Sequence, residues 1–120
     1  MPYISIDHSD NLNMGDNIGD VLATCHDILV EILPTKMEAC RSLVEKHSCY
    51  HVSDRNNQEQ KAFVTVVIKI MAGRSEDTLT KAGTKIIELI STHVKTLNPH
   101  LRTEFSIEMV NLAPVYIKVS

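Results

Sequence analysis

Nothing in this chain runs apolar for the roughly 18 consecutive positions that a membrane span requires. Its longest apolar stretch, AFVTVVIKIMA, is interrupted by Lys69. The opening MPYISIDHSD lacks the basic-then-apolar order of a secretory leader, so neither a membrane partner nor a targeting segment is expected. An excess of positive charge is missing too: 12 Lys and Arg stand against 15 Asp and Glu, a net charge of -3. That balance argues against nucleic acid as a partner, which needs a clustered basic surface. It leaves room for a small anionic ligand, whose site needs only a few well-placed cations. Cysteine is scarce and odd in number, with Cys25, Cys40 and Cys49 and no CxxC pair. The expectation is a reduced, cytoplasmic protein without a disulfide framework.

Several catalytic signatures are absent as well. AGRS holds one glycine and none of the other positions of a phosphate loop, and no GxSxG elbow exists for a serine hydrolase. His47 and His51 have an HxxxH spacing that would chelate on a helix. They fall in a stretch read as a strand, where four residues span about 13 Å, too far to share one ion. No metal and no cofactor are expected.

What is present is ample apolar material, 43% of 120 residues, enough for one domain over residues 1–120. YISIDHS alternates as a short strand, and the turn-rich SDNLNMGDN follows it. Ile18, Val21, Leu22, Cys25, Leu29 and Ile32 have helical spacing, which Pro34 closes. CRSLVEKHSCYHVS reads as a second strand and SDRNNQEQK as a polar loop. AFVTVVIKIMA is the clearest strand, and its continuity suggests burial on both faces. AGRS then turns into a second helix with Ser75 as N-cap, acids at Glu76 and Asp77, and a stripe of Leu79, Ala82, Ile86, Ile90 and Leu97. NPH ends that helix, TEFSIEMVNL supplies another strand, and APVYIKVS is a last short apolar run.

The order is β-α-β twice, which predicts an α+β fold. Two β-α-β units, each with parallel strands, would form a four-stranded mixed sheet with two helices on one face. The other face is left uncovered, and an open apolar face on so small a domain predicts an oligomer.

Three residues are the candidates for chemistry. Pro2 precedes the first strand, where its missing N–H is harmless; removal of Met1 would make it a free secondary amine. Arg74 sits in the turn after the most buried strand, where loops commonly carry function. Arg41 lies between Pro34 and the second strand, beside Ala39 and Cys40.

MPYISIDHSDN, ACRSLV and AFVTVVIKIMAGRS, in that order and over nearly the whole chain, resemble the 5-carboxymethyl-2-hydroxymuconate isomerases of the tautomerase superfamily. The sharpest pieces are Pro2, the SDN after the first strand, and K-I-x-A-G-R-S from Lys69 to Ser75. The chain departs from the family pattern at Leu43, where relatives often carry a second basic residue. The resemblance implies two β-α-β units assembled as a homotrimer, with Pro2 as catalytic base. It also implies that Arg41 and Arg74 bind and polarise a small dicarboxylate or tricarboxylate, with no cofactor, in aromatic-compound catabolism. A phenylpyruvate-type enol-keto tautomerase and a non-catalytic trimeric ligand-binding module are the alternatives to this reading.

Overall fold

The computed structural model describes residues 2–120. Strand β1 (Tyr3–Ser9) leads to helix α1 (Ile18–Ile32) and strand β2 (Arg41–His47). Strand β3 (Lys61–Ile70), helix α2 (Glu76–Leu97) and strand β4 (Arg102–Asn111) repeat that order. The four strands form one sheet in the order β2-β1-β3-β4. Each half contributes a parallel pair, β1 with β2 and β3 with β4, and the halves join antiparallel through β1 and β3. This is the mixed sheet that the twofold β-α-β order predicts.

Period-2 alternation decides which side chains face the helices. Ile4 and Ile6 of β1 and Ala62, Val64, Val66, Ile68 and Ile70 of β3 are buried there. They pack with Val21, Cys25 and Leu29 of α1 and Ala82, Ile86, Ile90 and Val94 of α2 in one continuous core. Each isoleucine, leucine or valine among them removed from water contributes about 1.5–3 kcal/mol of driving force. Ser75 caps α2 as expected, its hydroxyl accepting the Thr78 N–H at 3.2 Å. The stripe of α2 differs from its sequence reading at one point: Val94 completes the buried i+4 series, while Leu97 is 36% exposed. Leu97 is in the last turn, where its Cδ1 lies against Gly15 of the β1–α1 loop instead of the sheet.

The helix-free face also differs from expectation. On β3 its residues Phe63, Thr65 and Val67 are half-buried, so the strand is covered on one face only. Phe63 and Val67 are interleaved there with Asp7, Glu45, Thr65, Lys69, Glu104 and Glu108, so the face is mixed rather than apolar.

Candidate active site

The strand directions gather four segments at one end of the sheet: the starts of β1 and β2 and the ends of β3 and β4. Pro2 stands there, buried, and its carbonyl accepts the Arg41 N–H at 3.3 Å. The first strand pair is thus extended by one rung, and Pro2 sits beside the residue that opens β2. Register then aligns a row across the sheet, with Tyr3 opposite Arg41 on one side and Lys69 on the other, and Lys69 opposite Val110. Alternation with buried Ile4 sends this row to the helix-free face. The Arg41 guanidinium lies over the Tyr3 ring, its Cζ 4.8 Å from the ring centroid, a cation–π contact.

Tyr3, Arg41, Lys69 and Val110 line one cavity of about 500 Å³, with a further wall formed by Asn111, Leu112, Ala113 and Tyr116. The Leu112 N–H donates to the Ile70 carbonyl at 2.7 Å, which continues the β3–β4 ladder and fixes that wall. The volume falls in the range of small-molecule sites. A smaller groove of about 380 Å³ runs between α2 and β4 past Leu79, Gly83, Ile107 and Met109; its one charged lining residue is Glu76, so it offers an anion no cation.

Arg74 reaches this end of the sheet by a different route. Gly73 takes φ +118° in the turn after β3, a left-handed conformation that a side chain would strain although the space beside it is open. The half-buried Arg74 then donates from Nη1 to the Met71 carbonyl and from Nη2 to the Leu33 carbonyl, both at 3.1 Å. Leu33 is the C-cap of α1, so Arg74 ties the end of that helix to the β3–α2 turn. A guanidinium has five N–H donors, and two bonds leave others to turn toward a ligand.

The structure therefore brings Pro2 and Arg41 into direct contact and sets Arg74 in the turn that follows the same strand end. Pro2 and Arg74 are not among the residues lining the cavity. Tyr3, Lys69 and Tyr116 line it without having been candidates from the sequence. Lys69 was legible there as the charge that breaks the apolar run of β3.

The thiols nearby favour their neutral forms. Burial raises Cys40, whose Sγ donates to the Lys36 carbonyl at 3.6 Å, and burial pushes Cys25 up to about 11. Neither has the thiolate character of a nucleophile. His47, one half of the HxxxH pair, lies at the far end of the sheet with its Nε2 2.7 Å from Asp7 Oδ1.

The sequence profile of 5-carboxymethyl-2-hydroxymuconate isomerase matches residues 2–119. The chain belongs to this family. Among curated relatives, the 5-carboxymethyl-2-hydroxymuconate Delta-isomerase of Escherichia coli is 28% identical over 114 residues, 95% of this chain and 89% of that one. A solved 5-carboxymethyl-2-hydroxymuconate isomerase from Deinococcus radiodurans R1 superposes with a TM-score of 0.86, at 20% identity, over 99% of this chain and 90% of that one. A fused 4-OT wild-type symmetric trimer shares the fold at a TM-score of 0.63 and 11% identity, over 89% of this chain and 85% of that one. The fold is that of the tautomerase superfamily, and the family's activity is a tautomerase-type isomerisation. Membership sets aside the non-catalytic binding module. Among the described residues no helix is long and apolar enough to cross a membrane.

Proposed function

We propose that this chain converts a carboxylated 2-hydroxymuconate-type dienol, 5-carboxymethyl-2-hydroxymuconate, to its 2-oxo isomer, with Pro2 as general base after removal of Met1. The observation that carries the reading is the contact between Pro2 and Arg41 at the cationic end of the sheet. A free α-amino group titrates near 7.7–8.0 and a proline amine is more basic. Burial of Pro2 and the positive charge of the two arginines both disfavour the protonated amine, which lowers its pKa toward the range where a general base works.

In the reaction the neutral amine takes the proton of the 2-hydroxyl. The C2–O bond becomes a carbonyl, the double bonds of the diene shift along the chain, and the ammonium returns a proton to a carbon of the conjugated system. No net proton is gained or lost, and no electron acceptor is needed. Arg41 binds a carboxylate through its planar fork, which cannot lose a proton. Arg74 adds a second fork, and the negative charge growing on the 2-oxygen is stabilised by these fixed cations.

The chain acts as one tautomerase-like domain in a homotrimer, with the helix-free face turned toward the threefold axis. The half-buried Phe63, Thr65 and Val67 gain cover by that packing, and fused 4-OT relatives are symmetric trimers. Three free cysteines are in keeping with the cytoplasm and with a role in aromatic-compound catabolism there.

The test follows ultraviolet absorbance as 5-carboxymethyl-2-hydroxymuconate loses its conjugated dienol, with phenylpyruvate in a parallel cuvette. The proposal expects turnover of the muconate at a kcat/KM at least about tenfold above that for phenylpyruvate. Turnover of phenylpyruvate alone would replace the proposal with the phenylpyruvate-type tautomerase. Sedimentation equilibrium should give three times the chain mass at micromolar concentration; a monomer would overturn the assembly.

A further inference from the structure

The two lysines of β3 that face away from the helices, one at each end of the strand, are treated differently by the fold. Lys61 is held by Asp54, Nζ to Oδ1 2.7 Å, and its side chain is only 13% exposed. Lys69 is exposed, and among the described residues it has no carboxylate within ion-pair distance, because the two ion pairs, His47–Asp7 and Lys61–Asp54, both lie at the far end of the sheet. Arg41 lacks a carboxylate partner in the same way, its guanidinium resting on Tyr3.

Register makes this pair a unit. Arg41 and Lys69 are both cross-strand partners of Tyr3, so they flank it on one face of the sheet. Two strand spacings separate their Cα atoms by about 10 Å. Both line the cavity of about 500 Å³, together with Val110, Asn111, Leu112, Ala113 and Tyr116. Two like charges held apart in one cavity, in a chain with more acids than bases, repel each other weakly until anions enter between them.

We propose that Lys69 is the specificity-determining cation of this site: it binds a further carboxylate of the substrate, beyond those taken by the arginines, and selects tricarboxylates over dicarboxylates. The inference rests on the function proposed above and assigns the residue that recognises the third carboxylate of that substrate. An ammonium suits this task as a mobile point charge on a flexible stem, able to follow a carboxylate on a branch that does not take part in the reaction. Binding energy at such a branch acts on the ground state and transition state alike, so it appears in KM and leaves kcat unchanged.

The experiment compares wild type with Lys69→Gln and Lys69→Arg on 5-carboxymethyl-2-hydroxymuconate, which has three carboxylates, and on 2-hydroxymuconate, which has two. Lys69→Gln should raise KM for the first by about tenfold to a hundredfold, the worth of one charge-assisted hydrogen bond. It should leave kcat within twofold and KM for the second within threefold, and Lys69→Arg should restore most of the loss. Equal changes for both substrates, or none, would overturn the proposal. Calorimetric titration with propane-1,2,3-tricarboxylate and with glutarate separates this inference from the reaction itself. Wild type should prefer the tricarboxylate and Lys69→Gln should lose that preference, whether or not either muconate is turned over. Equal affinity of wild type for the two acids would also overturn it. Lys69 forms no ion pair among the described residues, so unchanged thermal unfolding and an unchanged assembly mass should accompany both variants.

Discussion

The two ends of the sheet use their polar side chains in opposite ways. At the end where β1 and β2 finish, His47 bonds Asp7 at 2.7 Å, Lys61 bonds Asp54 at 2.7 Å, and the Ser9 hydroxyl accepts the Phe63 N–H at 3.1 Å. The imidazole of His8 bonds the adjacent Ser9 carbonyl at 2.8 Å. At that end two cations hold carboxylates. At the end where β1 and β2 begin, Arg41 has an aromatic ring, Arg74 has two carbonyls, and Lys69 has no carboxylate among the described residues. Cations left without acids beside a cavity are what an anionic substrate can complete. The histidine-rich end looks more chemical in the sequence, yet His47 is tied to a carboxylate and His8 to a backbone carbonyl. Partner count, rather than residue type, tells a structural end from a binding end.

The sharpest way to break this contrast is Arg74→Ala. It should lower kcat/KM by about 2–4 kcal/mol, the worth of one preorganised donor to a developing oxyanion. It also leaves the carbonyls of Leu33 and Met71 without that donor, so a loss of roughly 1–3 kcal/mol in stability by urea unfolding should accompany it. A stable variant with unchanged kcat/KM would reduce Arg74 to a clasp on α1.

Much of the scaffold around this contrast is legible in the sequence, for local reasons. Alternation marks β1 as Tyr3–Ser9, Pro34 stops α1, and Ser75 with Glu76 and Asp77 announces α2. The site is half legible. Pro2, Arg41 and Arg74 are visible through the family pattern, but the row Arg41–Tyr3–Lys69 depends on register between strands far apart in sequence, which no local pattern encodes. Asn98 was hidden in the same way. It ends α2 and is buried, with its amide exchanging hydrogen bonds with the backbone of Asn13, 85 residues away. The polarity of the helix-free face is not legible from β3, which is unusually apolar, because it is β1, β2 and β4 that each add acids to that face.

Arg41→Ala should have the next largest effect, raising KM and lowering kcat together by about tenfold each, because it holds a carboxylate and the growing charge at once. Its backbone N–H to Pro2 survives the substitution, so folding should be unaffected. An effect confined to KM would limit Arg41 to binding.

Asp7→Asn sharpens the contrast from the other end. The Asp7–His47 pair is more than a third exposed on both sides, so stability should change by less than about 1 kcal/mol and kcat/KM by less than twofold. A tenfold loss of activity would show that the far end also takes part in catalysis.

The smallest expected effect is at Cys25, between α1 and the sheet. Its folded thiol keeps its proton up to about 11, against 9.0 for an exposed thiol. The protonated thiol therefore favours the folded state fully below pH 9, and that advantage is lost as pH rises from about 9 to 11. Urea midpoints should fall across this window in wild type and fall less in Cys25→Ala. Parallel curves would remove Cys25 as the titrating group.

The most direct test of the central claim compares two forms of the same chain, one processed to Pro2 and one retaining Met1 through inhibition of methionine aminopeptidase, with each mass verified. Both keep Arg41, Arg74 and Lys69. Ketonisation of 5-carboxymethyl-2-hydroxymuconate is followed by ultraviolet absorbance across pH. The account predicts activity only in the processed form, rising with pH through an apparent pKa well below that of a free proline amine. Equal kcat/KM in the two forms would contradict it, because a proline nitrogen acylated by Met1 has no basic lone pair to offer.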